Sequence, residues 1–181
     1  MLLFFACTEE KADTVVPIEQ EVNEPDESCH EAILDWSDSW NGIEMSTLAE
    51  INLRRAEVAD CRTGGVFQPA PTLEVDPYLH CSSRYHSYWM GQNNVLQHES
   101  PGGDLGEDTW QRMSNAGFTG FGTGENVAVG FVGPSDLVEG WMNSDAHCSI
   151  IMDPNATVAG VGYYYVQSGY MHYWTLNTGR Y

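Results

Sequence analysis

The stretch Trp141-Met142-Asn143-Ser144-Asp145-Ala146-His147-Cys148 decides how this chain is read. A helical pattern, capped by Ser135, runs through Trp141 and Met142, and a histidine and a cysteine stand side by side just beyond it. Downstream come two β-rich runs, Val158 to Val166 and Tyr170 to Asn177, joined by a turn at Gln167-Ser168-Gly169. Upstream, Glu125 to Phe131 alternates as a strand does, and a short helix over Asp108 to Ala116 stops at Gly117, a left-handed C-cap. Further back, Asp76 caps a helix with Pro77 at its first position. It runs to about Met90 with Leu79, His86 and Met90 on one face, and His86 there is read as a core residue. The first helix is expected over roughly Ile43 to Asp60. Helices early and in the middle, with antiparallel strands late, predict an α+β layered domain over residues 29–181.

The charge is lopsided. Seven Lys and Arg face 26 Asp and Glu, a net charge of -19. Such a surface repels phosphate backbones and anionic bilayers, so nucleic acid is excluded as a partner. Cations are drawn to it. Eight of the acids lie in residues 8–28, which carry one Lys, two prolines and no periodicity, the composition of a disordered acidic tether. Before it, Met1-Leu2-Leu3-Phe4-Phe5-Ala6-Cys7 resembles the end of a lipoprotein signal, with Cys7 the residue to be cleaved at and lipidated. That anchor is the one expected membrane contact, and it implies an extracytoplasmic location at the cell envelope.

Setting Cys7 aside leaves Cys29, Cys61, Cys81 and Cys148, too widely spaced for a zinc site built from C-x-x-C pairs. In an exported protein they read as two disulfides, with three connectivities open.

Four further stretches occur in order: Leu96-Gln97-His98-Glu99-Ser100-Pro101-Gly102-Gly103, Gly124-Glu125-Asn126-Val127-Ala128, the 141–148 stretch, and Gly160-Val161-Gly162-Tyr163. With Asn52 and Arg55 on the first helix and His86-Ser87 on the second, they resemble the successive signatures of the bacterial CAP superfamily. That group takes its name from cysteine-rich secretory proteins, antigen 5 and pathogenesis-related-1. The resemblance covers residues 43–178. It implies a three-layer α-β-α sandwich around an antiparallel central sheet, with His98, Glu125 and His147 lining a cleft. It also implies pairing of Cys61 with Cys148 and of Cys29 with Cys81. Ser144 stands where many eukaryotic members have a second Glu, so a cleft carboxylate is replaced by a neutral hydroxyl.

Two imidazoles and a carboxylate in one cleft can hold zinc or another divalent cation through neutral nitrogens, with His98 and His147 as ligands. They can equally hydrogen-bond a polar ligand or move protons. A buried network that only fixes loops is the third possibility. The sequence has no nucleophile elbow and no H-E-x-x-H, and the second Glu is missing. The order of expectation is therefore a binding module for a small-molecule or lipid ligand, then a metal-dependent hydrolase using His98, Glu125 and His147. Last comes a surface scaffold that recognises a cell-surface protein. Gly160 and Gly162 open no helix and are read as backbone geometry, not a phosphate cradle.

Overall fold

A computed structural model describes residues 29–181. The signal-like residues 1–7 with Cys7, and the acidic segment 8–28, lie outside the described residues.

Helix α1 spans Asp38–Arg55 and buries Glu44, Thr47, Leu48, Ile51 and Arg55, one stripe at helical spacing. It begins five residues before the expected start and ends five before the expected end. Ser37 at the N-cap and Asp38 in the first turn set its beginning. After Arg55 the chain turns into β1 (Ala59–Asp60), which pairs antiparallel with β2 (Val66–Phe67). The two charged members of the stripe, Glu44 and Arg55, hide the pattern from a hydrophobicity reading, and both bond inside the fold. Arg55 donates to the carbonyls of Pro71, Ile151, Asp153 and Ala156 at 2.6 to 3.0 Å. Asn52 exchanges two hydrogen bonds with the backbone of Leu73. Asn52 and Arg55 thereby clamp the extended 70–73 segment that leads into β3 (Glu74–Val75).

Asp76 accepts from the amides of Tyr78 and Leu79 and starts α2 (Pro77–Asn93), which closes on Asn94 in the left-handed region. The helix runs past Met90 to Asn93, with Gly91 inside it, where a Cβ would strike the Tyr164 ring. Then follow α3 (Thr109–Asn115), β4 (Phe121–Val129), α4 (Pro134–Met142), α5 (Asp145–Ile151), β5 (Val158–Tyr165) and β6 (His172–Arg180). The cap of α4 is Gly133 with Pro134 in its first turn, not Ser135. β4 begins four residues earlier than expected, and β6 is shifted two to three residues toward the C-terminus.

The main sheet has the order β3-β5-β6-β4. β5 and β4 flank β6 antiparallel, while β3 adds a two-residue parallel pairing to the start of β5. The sheet is thus antiparallel except at that edge. On one face α2 crosses β5 at Gly160 and Gly162, with Ser83 and Ser87 donating to the two glycine carbonyls at 2.8 and 2.9 Å. On the other, Ile51 of α1, Leu137 and Trp141 of α4 and Ile151 of α5 join Val161, Trp174 and Leu176 in the largest core cluster. This is a three-layer α-β-α sandwich.

Past the short β3, the edge of β5 is sealed by a buried carboxylate. Glu44 accepts from the Tyr163 amide and the Trp36 indole through Oε1, and from Arg84 through Oε2, which also contacts His80 Nε2. Two disulfides tie the layers. Cys61 is joined to Cys148 with Cα atoms 5.5 Å apart, and Cys29 to Cys81 at 6.1 Å. The first bridges the turn after β1 to α5, the helix that carries His147.

Candidate functional site

The site is assembled on α3. This short helix is capped by Asp108, whose side chain accepts from the Gln111 amide, and it turns Thr109 and Arg112 inward. Glu125 lies on β4, and its register partner is Asn177 of β6, which bonds Ser83 of α2. Directly opposed residues in an antiparallel pair share a face, so Glu125 points to the α2 and α3 side. Its side chain is only 3% exposed. Burying an ionised carboxylate is tolerated when its lone pairs are filled by donors. Oε1 takes His98 Nδ1 at 2.9 Å and Thr109 Oγ1 at 2.8 Å, and Oε2 takes Arg112 Nη2 at 2.8 Å.

His98 sits on the loop after α2. Arg112 holds that loop by donating to the His98 carbonyl and to Ser100 Oγ, and Ser100 in turn donates to Gly106. With Nδ1–H committed to Glu125, the imidazole turns Nε2 away from the carboxylate, and the side chain is half exposed. Glu125 raises the His98 pKa above its ordinary value, chiefly through this hydrogen bond, against a smaller lowering by burial. Burial works to raise the Glu125 pKa, but the His98 bond, His86 and Arg112 outweigh it, and the group stays below the usual range.

His147 lies on α5, half-buried, with no ring hydrogen bond among the described residues. Burial and then the nearby charge of His98 hold its pKa below the ordinary value. Its carbonyl accepts from Asn126 of β4. Ser144 is the N-cap residue of α5 but makes no side-chain capping bond. Of the expected cleft set, the structure joins His98 and Glu125 directly and brings His147 within electrostatic reach of His98.

Sequence reasoning passed over Arg112 and Thr109. The signal was there in principle: the short helix carries a lone arginine three residues after a threonine, the spacing that puts both on one face.

The donor set bears on the expected metal. Among the described residues no three His, Cys, Asp or Glu side chains are placed to hold one ion. Glu125 has both oxygens occupied by protein donors, which leaves two imidazoles where zinc sites use at least three protein ligands. The raised pKa of His98 also opposes ligation, which needs the neutral ring. The residues present therefore do not fit a closed zinc site.

His86 is buried beside the same carboxylate. Its Nε2–H donates to the Gln97 carbonyl, while Nδ1 has no partner among the described residues. Burial pushes its pKa down from 6.5 to about 4. The unfolded chain then binds the proton more readily than the folded one, so stability is full above 6.5 and falls as the pH drops toward 4. At 1.36 kcal/mol per unit the loss is about 3 kcal/mol. Urea midpoints measured from pH 7 to pH 4 should show this slope, and His86→Gln should flatten it.

The family model for the cysteine-rich secretory protein family, CAP, matches residues 50–178. The chain belongs to this family. The uncharacterized YkwD protein of Bacillus subtilis is 37% identical over 97 residues, which are 54% of this chain and 36% of that protein. The chain thus spans about a third of the length of the curated relative it matches. Among solved structures, an extracellular protein containing an SCP domain from Bacillus anthracis superposes with a TM-score of 0.61 at 27% identity, covering 78% of this chain and 41% of that one. An outer surface protein from Borrelia burgdorferi gives a TM-score of 0.61 at 17% identity, covering 80% of this chain and 97% of its own. A cysteine-rich secretory protein from Staphylococcus aureus gives 0.52 at 18%, covering 80% of this chain and 40% of its own. At those identities the last two speak for the fold alone. In this CAP domain, the motifs that follow one another in the chain become neighbours in space: the 96–103 loop, the β4 carboxylate and the α5 histidine.

Proposed function

We propose that this CAP domain works outside the cytoplasm as a binding module whose cleft grips an oxygen acceptor of a small ligand through His98. One observation carries the reading. A fully coordinated, buried Glu125 fixes His98 by Nδ1 and leaves the other half of a half-exposed ring to the cleft. In its protonated form the ring presents Nε2–H as a donor, and Glu125 favours that form. His147 beside it favours the neutral ring and offers an acceptor. Donor and acceptor together suit a hydroxy acid, a phosphate ester or a similar polar group. No hydroxyl is hydrogen-bonded to either imidazole among the described residues, so the rings are not set up as the base of a hydroxyl nucleophile. The location rests on two disulfides, which persist in oxidising compartments, and on the extracellular and outer-surface descriptions of similar structures. Among the described residues no helix is long and apolar enough to cross a membrane.

The test follows the ring signals of His98 and His147 by NMR during addition of acetate, inorganic phosphate or zinc chloride at pH 6 and pH 8. His98 is expected to titrate above 6.5, and Glu125→Gln to bring its midpoint down. The oxygen acceptors should perturb His98 more strongly at pH 6, where it carries the proton, than at pH 8. Micromolar zinc binding at pH 8 that requires both rings would overturn the acceptor reading and restore the metal site.

A further inference from the structure

We infer that a carbohydrate site lies on the opposite side of α3 from His98, and that it takes a short, neutral, β-linked oligosaccharide. α3 is a partition. Thr109 and Arg112 face Glu125, whereas Trp110, Met113 and Ser114 face an open groove of about 800 Å³. Its other wall is the run from Gly117 to Thr123, which enters β4. The two walls meet at Gly122, where a Cβ would come within 3.0 Å of the six-membered ring of Trp110. That contact seats the ring and leaves the N–H on the opposite edge of the indole. The lining is mixed. Trp110 and Phe121, 55% and 65% exposed, supply aromatic surface from either wall. The Trp110 N–H and the hydroxyls of Ser114 and Thr119 have no hydrogen-bond partner among the described residues. Thr123 donates to Thr178 and keeps lone pairs that can accept. Gly117, Gly120 and Gly122 add no side chains that would cover the peptide groups of their wall.

A sugar matches both kinds of surface. A β-linked pyranose with equatorial hydroxyls has faces of axial C–H bonds, which the negative face of an aromatic ring attracts. Around those faces runs a rim of hydroxyls that both donate and accept. An alkyl chain would cover the rings but strip water from the indole N–H and the hydroxyls without replacing it, at a cost for each group. Charge narrows the choice. None of the described residues lining the groove is charged, although the chain carries a net -19. That net charge repels a polyanionic glycan. One cation stands at the rim. Arg180 is the register partner of Phe121 across the β4–β6 pair, and its guanidinium lies over that ring, 5.3 Å from the centroid. A planar guanidinium laid on a ring extends the stacking surface and offers further N–H donors to sugar hydroxyls.

The experiment titrates the full chain, labelled with nitrogen-15, with cellotetraose and with N-acetylchitotetraose, both neutral and β-1,4-linked. A hyaluronan tetrasaccharide serves as the β-linked anionic probe, and dodecanoate below its micelle concentration as the apolar one. Trp110→Ala, Thr119→Val and His98→Ala are compared after thermal unfolding shows each to be folded. At least one neutral sugar is expected to shift the Trp110 indole N–H resonance saturably, and to bind more tightly than the hyaluronan fragment or dodecanoate. Trp110→Ala should weaken that sugar about tenfold, as loss of an aromatic contact does. Thr119→Val exchanges a hydroxyl for a methyl on an exposed residue and should weaken it about threefold, the share of one neutral hydrogen bond. His98→Ala should change nothing. Because His98 lies across α3, failure of the acceptor site leaves these outcomes unaffected. No saturable shift with either neutral sugar, tighter binding of the anionic or the apolar probe, or indifference to both Trp110→Ala and Thr119→Val would each overturn the proposal.

Discussion

A Gly160→Ala chain is expected to lose at least about 4 kcal/mol of stability, or to lose its cooperative unfolding transition altogether. A Cβ at Gly160 meets the backbone of Leu79 and His80 in α2, not a side-chain tip that could swing aside. The only relief is to lift α2 off the sheet. That would stretch the bond from Ser83 to the Gly160 carbonyl and open the packing of Leu79 and Met90, both fully buried. Gly162 is in the same position against Ser83 and Arg84, and Gly162→Ala should behave alike. The control is Gly42→Ala within α1, where nothing lies within 4 Å of the added carbon. There alanine should stabilise by about 0.5 to 1 kcal/mol, through helix propensity alone. Urea titrations of the three variants, read by tryptophan fluorescence, separate the two situations directly.

The same glycines show why much of this fold was legible. Gly160-Val161-Gly162 reads as backbone geometry because two glycines in a β run have little other use, and the structure supplies the helix that needs them. Asp76-Pro77 placed the start of α2 correctly because cap chemistry is local. The buried face of α1 was hard to read for the opposite reason. Its inner face is built on Glu44 and Arg55, whose partners are 119 residues away at Tyr163 and 96 away at Ile151. No local pattern marks a charged residue as buried when its donors and acceptors arrive from distant strands. Arg112 escaped notice in the same way. Its role is defined by Glu125 and by the carbonyl of His98, neither of which is on its own helix. The order of the motifs pointed to His98, Glu125 and His147, and the structure puts the first two in contact with the third nearby. What that order could not show is that the carboxylate is spent on the protein, so it cannot join the two expected imidazole ligands, His98 and His147.

Removing that carboxylate is therefore expected to do two separable things. Glu125→Ala leaves Arg112, fully buried, without a counter-charge, and breaking one partner of a buried pair costs about 3 to 5 kcal/mol. Changing both groups together, as Glu125→Leu with Arg112→Met, should recover most of that loss, because no orphaned charge remains. The His98 loop, which Arg112 also holds, would then be loosened without global unfolding. The second effect is on pH dependence. The lowered pKa of Glu125 gives stability that is present above the ordinary carboxylate range and lost as pH falls through the folded value. The raised pKa of His98 gives stability that is present below 6.5 and lost as pH rises through its own folded value. The difference in unfolding free energy between the parent chain and Glu125→Gln should accordingly be largest between the ordinary carboxylate range and 6.5, and shrink as the pH moves from there toward either folded value. His98 is half exposed, so its limb should be the shallower and should flatten in salt. A difference curve that falls only on the acid side would mean that Glu125 merely anchors Arg112. A bell with a salt-sensitive alkaline limb would mean that it also sets the proton on the cleft-facing imidazole.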